Sequence, residues 1–147
     1  MSELEQKTLK NPPTKNFFEE KFRSLGFEQL TEIQKSALQV IYQKKDSLIV
    51  APTGSGKTEC AVIPIFSQIK KTKKQGKIKA LYVTPLRALN RDVFRRVIKY
   101  AELEDLIIQI RHGDTSQSAR KKISDSPPDI LITTPETLVS FLLSRRC

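Results

Sequence analysis

A chain of 147 residues is long enough for one domain with a buried core, and 38% hydrophobic residues with five Gly and eight Pro exclude wholesale disorder and collagen-like material. Lys and Arg number 26 against 16 Asp and Glu, a net charge of +10 that favours polyanionic partners such as nucleic acid, nucleotides or an anionic membrane surface. The two cysteines, Cys60 and Cys147, exclude a disulfide framework and a four-cysteine metal site, and with no membrane-length apolar run and no secretory signal the expectation is a cytoplasmic protein without a membrane partner.

Residues 1–15 are polar with tandem Pro12 and Pro13 and read as a loose arm. The spacing of Phe17, Phe18, Phe22 and Leu25 predicts an amphipathic helix capped by Asn16 and stopped at Gly26. Thr31 with Gln34 three positions later is a capping-box pattern, opening a second helix through about residue 43. From residue 47 onward, strands and helices alternate four times. Strands are expected at 47–51, 80–83, 106–110 and 129–132, with helices at 57–68, 87–103, 116–123 and 135–144. That alternation predicts an α/β fold with a mostly parallel sheet covered by helices on both faces.

Such folds bind ligands beyond the carboxyl ends of their strands, so the loops at 51–57, 84–87, 111–115 and 133–136 are the candidates for chemistry. The lysine-rich stretch from Lys70 to Lys79 precedes a strand, which places it at the opposite edge, as a solvated connector or a nonspecific phosphate contact.

Ala51-Pro52-Thr53-Gly54-Ser55-Gly56-Lys57-Thr58 reads as a phosphate-binding loop between a strand and a helix. Gly54 and Gly56 let backbone N–H groups approach a triphosphate, Lys57 reaches its terminal phosphates, and the Thr58 hydroxyl is a magnesium ligand. The strict pattern begins with Gly, and Ala51 stands there instead. His112 has no Cys or carboxylate cluster around it and reads as a turn residue.

With its alanine start, this loop resembles the nucleotide loop of superfamily 2 helicases. Gly26-Phe27-Glu28-Gln29-Leu30-Thr31-Glu32-Ile33-Gln34 resembles their adenine-recognition motif, with Leu30 where many members have Pro. The resemblance implies that Phe27, Thr31 and Gln34 join Thr53, Gly54, Ser55, Gly56, Lys57 and Thr58 in holding ATP with Mg2+. The competing reading is that Thr31 and Gln34 only cap a helix. The stretches 81–92 and 132–138 resemble helicase motifs Ia and Ib. In both, a strand ends at Thr and Pro sits near the first helical position, leaving backbone donors free for phosphates. Thr84, Pro85, Arg87, Thr133, Thr134, Pro135 and Glu136, with Arg111 on the loop between them, are the expected nucleic-acid contacts. Helix capping alone is again the alternative. Arg111-His112-Gly113-Asp114-Thr115-Ser116 is similar to the large helicase-related (Lhr) branch of that superfamily, and the whole resemblance runs from about residue 17 to 143.

The family's ATPase also needs an apolar strand ending in Asp-Glu, and no Asp-Glu pair occurs here; Asp46 and Asp129 precede their apolar runs. The resemblance therefore implies the first part of one RecA-like motor domain, cut before its acidic motif and lacking the second motor domain. No catalytic residue is assigned. The expected activity is binding of ATP and of a nucleic acid strand (single-stranded DNA or RNA, or a duplex with a single-stranded tail), without hydrolysis or unwinding alone. A separate chain carrying the rest of the motor is an implied partner, and the strand at 47–51 is expected to lack its usual neighbours. A non-catalytic nucleic-acid-binding module and a small P-loop kinase are the competing functions.

Overall fold

The computed structural model describes residues 15–43, 45–71, 76–85 and 91–143. In chain order these form α1 (Lys15–Ser24), α2 (Glu32–Tyr42), α3 (Lys57–Lys70), β1 (Ala80–Val83), α4 (Arg91–Glu102), β2 (Ile108–Arg111), α5 (Gln117–Asp125), β3 (Ile130–Thr133) and α6 (Pro135–Leu143). The chain divides into two compact units, Met1–Ile65 and Phe66–Cys147, with the division falling inside α3.

In the first unit, α1 begins at Lys15, so Asn16 is already helical and is not the expected cap. The helix ends as predicted. Gly26 has φ of 89°, a left-handed conformation open to glycine, and Phe27 N–H returns to Phe22 O at 3.0 Å. The Phe22 and Phe27 rings then lie 5.5 Å apart at 54°, across the turn. Thr31 caps α2 in a complete capping box: Gln34 N–H donates to Thr31 Oγ1 at 3.4 Å, and Thr31 N–H donates to Gln34 Oε1 at 2.9 Å. On α2, Ala37, Leu38 and Tyr42 are buried and Ile33 and Ile41 half-buried, an apolar face at helical spacing.

Residues 47–51 depart from expectation. They form no strand, and Leu48 is 90% exposed and Val50 78% exposed. An isolated extended segment gains no ladder hydrogen bonds to offset its ordering, so apolar composition alone does not make it a strand.

In the second unit, β1, β3 and β2 form a parallel sheet in that order. Ala80 to Val83 pair with Ile130 to Thr133 on one side, and Ile108 to Arg111 pair with the same four residues on the other. All four residues of β3 are buried, so the central strand is covered on both faces, as a parallel sheet requires. Its three aliphatic side chains each contribute about 1.5–3 kcal/mol of burial. β1 alternates instead: Leu81 and Val83 stay exposed on one face.

The amino edge of the sheet is tied at Asp129. Its Oδ1 pairs with Lys79 Nζ at 2.7 Å, its Oδ2 accepts from Ile107 N–H at 2.9 Å, and its carbonyl accepts from the N–H groups of Lys79 and Ala80. One residue thus joins the starts of all three strands. Burial would raise its pKa, but the hydrogen bonds from Lys79 and Ile107 and the lysine charge outweigh it and hold the carboxyl below its ordinary 3.8. Lys79 lies at this edge, where the sequence places the lysine-rich stretch; residues 72–75 of that stretch are outside the described residues.

Candidate functional site

The nucleotide loop belongs to the first unit. Gly54 and Gly56 adopt φ of 80° and 85°, conformations strained for any residue with a Cβ. At Gly56 there is a second reason: a Cβ would overlap Gln34 Nε2. Gln34 cannot easily retreat, because it is 1% exposed and held by the Thr31 N–H. Thr31 Oγ1 also donates to Ser55 O at 3.1 Å. The capping box of α2 therefore grips the loop at Ser55 and Gly56, and cap and loop form one structure.

Lys57 opens α3, yet its ammonium turns back onto the loop. Nζ donates to Ala51 O at 2.5 Å and to Pro52 O at 2.6 Å. Three donors on a flexible stem can exchange these carbonyls for phosphate oxygens. Ser55 Oγ is buried with no partner among the described residues. A buried hydroxyl without a partner, two left-handed glycines, a lysine charge and the open first turn of a 14-residue helix fit the oxygens of a phosphate chain. For magnesium the expected ligand is the Thr58 hydroxyl, and the described residues contain no group of three His, Cys, Asp or Glu that could hold an ion. Phosphate oxygens and water would have to complete its shell. Thr53 is exposed at the loop's tip. Cys60, one turn along α3, donates its thiol to Lys57 O at 3.1 Å, and burial pushes its pKa above 9.0, so it stays a neutral packing group.

A cavity of about 220 Å³ lies beside α1 and the following turn, lined by Phe22, Arg23, Phe27, Glu28, Leu30 and Lys35 among others. Phe27 faces it, as a base-stacking residue would. Gln34 does not line it, because its amide is committed to the capping box. The structure thus brings Thr31 and Gln34 to the loop and Phe27 to the cavity.

The second unit presents the loops that follow its strands. After β1, Thr84 N–H donates to Thr133 O at 3.0 Å, and Pro85 is exposed; Arg87 lies outside the described residues. After β3, the expected contacts separate. Thr133 is fully buried, so its side chain is not at the surface of this edge. Thr134 is 4% exposed and caps α6, accepting from Thr137 N–H at 3.4 Å and donating to Thr137 Oγ1 at 3.0 Å. Only Pro135 and Glu136 of this group are exposed, and the Glu136 carboxylate, an acceptor, suits a sugar hydroxyl or base amine and repels phosphate.

Between them, residues 111–116 fold on themselves. His112 N–H donates to Thr115 Oγ1 at 2.9 Å, Asp114 N–H donates to His112 Nδ1 at 3.2 Å, and Thr115 N–H donates to His112 O at 3.1 Å, the turn role expected of this histidine. Ser116 caps α5, accepting from Ala119 N–H at 3.3 Å. Arg120 reaches back and donates from Nε to Thr115 O at 2.7 Å and from Nη2 to Gly113 O at 2.5 Å. Sequence reading missed Arg120; its signal is the four-residue spacing from the Ser116 cap, which returns a side chain over the preceding turn. Arg111, expected to face a nucleic acid path, instead stacks its guanidinium 3.8 Å from the ring centroid of Phe141. Phe141 was also missed, since nothing in the local pattern of α6 distinguishes it.

Residues 31–147 match the family model for DEAD/DEAH box helicases. The chain is 36% identical over 149 aligned positions to the ATP-dependent helicase Lhr-Core of Sulfolobus acidocaldarius, covering 93% of this chain and 16% of that protein. It is 33% identical over 155 positions to the Lhr helicase/uracil glycosylase of Escherichia coli, covering 92% of this chain and 10% of that one. The structure of Mycobacterium smegmatis helicase Lhr bound to ssDNA and AMP-PNP superposes with a TM-score of 0.68 at 34% identity, over 84% of this chain and 17% of that chain. A hypothetical ATP-dependent RNA helicase from Sulfolobus tokodaii gives 0.66 at 27% identity, over 88% and 36%. The α/β arrangement is thus that of RecA-like helicase domains, and the chain spans a small fraction of the length of these relatives.

Proposed function

We propose that this chain, which belongs to the DEAD/DEAH box helicase family, binds ATP through residues 53–58 and a single nucleic acid strand at the carboxyl edge of its second unit. The observation that carries the nucleotide half is the loop itself: Gly54 and Gly56 in left-handed conformations, gripped by Thr31 and Gln34, with Lys57 and Thr58 opening α3. Lys57 trades two carbonyls for phosphate oxygens, Ser55 Oγ gains a partner, and Phe27 offers a stacking face to the base. Bound magnesium, held through the Thr58 hydroxyl, would neutralise phosphate charge. The strand half is supported by the net charge of +10, the exposed prolines Pro85 and Pro135 of the two Thr-Pro turns, and a relative whose structure holds ssDNA and AMP-PNP.

Hydrolysis is not proposed for these 147 residues, because they contain no Asp-Glu pair to support the metal and aim a water. Fluorescent-nucleotide titration tests the reading: saturable, magnesium-enhanced ATP binding is expected, falling at least about tenfold in Lys57→Ala with the thermal midpoint unchanged. Equal binding by the variant would overturn it, and magnesium-dependent turnover abolished by Lys57→Ala would overturn the claim of binding without hydrolysis. The net charge also keeps open a non-catalytic nucleic-acid-binding module. Strand affinity that responds to ATP favours the motor, and steep salt dependence with no ATP effect favours the module.

A further inference from the structure

We propose that Arg111 is a positioning residue for strand binding: its guanidinium, stacked on Phe141, sets the orientation of α6 and of the exposed turn at Pro135 and Glu136 that opens it, and contacts no phosphate itself. The proposal rests on the reading of the carboxyl edge as a strand-binding surface.

Two attachments among the described residues bear on the direction of α6. One is at its start, where Arg111 and Thr133 are register partners on β2 and β3, and Thr134 caps the helix in the next position. The other is a turn and a half along, where Phe141 meets the Arg111 guanidinium at 3.8 Å. A planar cation on an aromatic face holds distance and tilt together, which a methylene stem with a point charge does not. Arg111 Nε is buried without a partner among the described residues, so this end of the guanidinium is enclosed by protein. Burial, and after it the nearby charge of Arg120, lower the Arg111 pKa. Arg120 is committed to the carbonyls of Gly113 and Thr115. Arg111 and Arg120 thus brace the helix and the loop, and the turn at Pro135 and Glu136 is left exposed.

Amide exchange of the 147-residue chain, followed by mass spectrometry without nucleic acid, tests the positioning directly. Arg111→Lys and Phe141→Leu are each expected to speed exchange across residues 134–139 by at least about threefold, and the double variant no more than either alone. Unchanged exchange in Phe141→Leu, the variant least disruptive to folding, overturns the proposal. Anisotropy of a fluorescein-labelled 20-residue oligo(dT) over a salt series tests the link to binding. Arg111→Lys, Arg111→Gln and Phe141→Leu should weaken binding alike, by about three- to tenfold, with the slope of log K against log salt unchanged. Rescue by Lys, a slope reduced by about one in Arg111→Gln, or a silent Phe141→Leu would show a direct phosphate contact and overturn it. If the wild-type chain binds no oligonucleotide, the strand-binding reading fails and the role in binding with it, while the exchange result separately decides whether Arg111 and Phe141 orient α6.

Discussion

Residues 47–51 and residues 130–133 are nearly the same kind of sequence, Ser-Leu-Ile-Val-Ala against Ile-Leu-Ile-Thr, and they end in opposite states. The second is β3, paired along its whole length on both sides and at most 2% exposed at Ile130, Leu131 and Ile132. The first is unpaired chain with Leu48 and Val50 in solvent. An apolar run states a capacity to be buried. Whether it becomes a strand depends on neighbours that satisfy its N–H and C=O groups, because ordering each residue costs about 1–2 kcal/mol that only pairing and burial return.

Mutations can break or sharpen that contrast. The largest effect belongs to Ile132→Ala, which empties a site 1% exposed and should cost about 2–5 kcal/mol in chemical denaturation. A loss below about 1 kcal/mol would mean that β3 is not the centre of the sheet. Asp129→Asn comes next, at about 1–2 kcal/mol near neutral pH, since it weakens the lysine pair and the bond from Ile107 that join the three strand starts. Its pH dependence has a definite sign. The folded carboxyl titrates below its ordinary 3.8, so the unfolded chain binds the proton first; the stabilisation is present above about pH 4 and is lost as pH falls through the folded value. The wild-type protein and the Asp129→Asn variant should therefore draw together in stability as pH falls below about 4, and a gap that does not narrow there would rule out this account.

Thr31→Ala should cost about 1 kcal/mol by removing the cap of α2, and because Thr31 also holds Ser55, it should weaken nucleotide binding beyond the stability loss. Thr31→Ser, which keeps the hydroxyl, should restore both. Val50→Ala is the smallest, within about 0.5 kcal/mol, because the side chain is already in water. A loss near that of Ile132→Ala would show that residues 47–51 are paired in solution after all.

Much of this molecule is legible from local chemistry. The left-handed stop at Gly26, the Thr31–Gln34 capping box and the left-handed glycines of the nucleotide loop each follow from residues within a few positions of one another. The roles of Thr133 and Arg111 were not legible, for one reason. Both stand at a strand end that the pattern reads as ligand-facing, and only the pairing of β2 with β3 and the arrival of Phe141 bury one and stack the other. Arg120 lies between these cases, readable from its spacing once the Ser116 cap is known.

The order of residues along this chain determined where helices start and stop and which loop can hold a phosphate, because caps, left-handed glycines and helix N-termini act over three or four residues. Long-range pairing determined which apolar runs became strands, that Thr133 is buried, and what Arg111 faces. A side chain's surroundings are assembled from segments distant in sequence, and no local pattern encodes the partner that finally covers it.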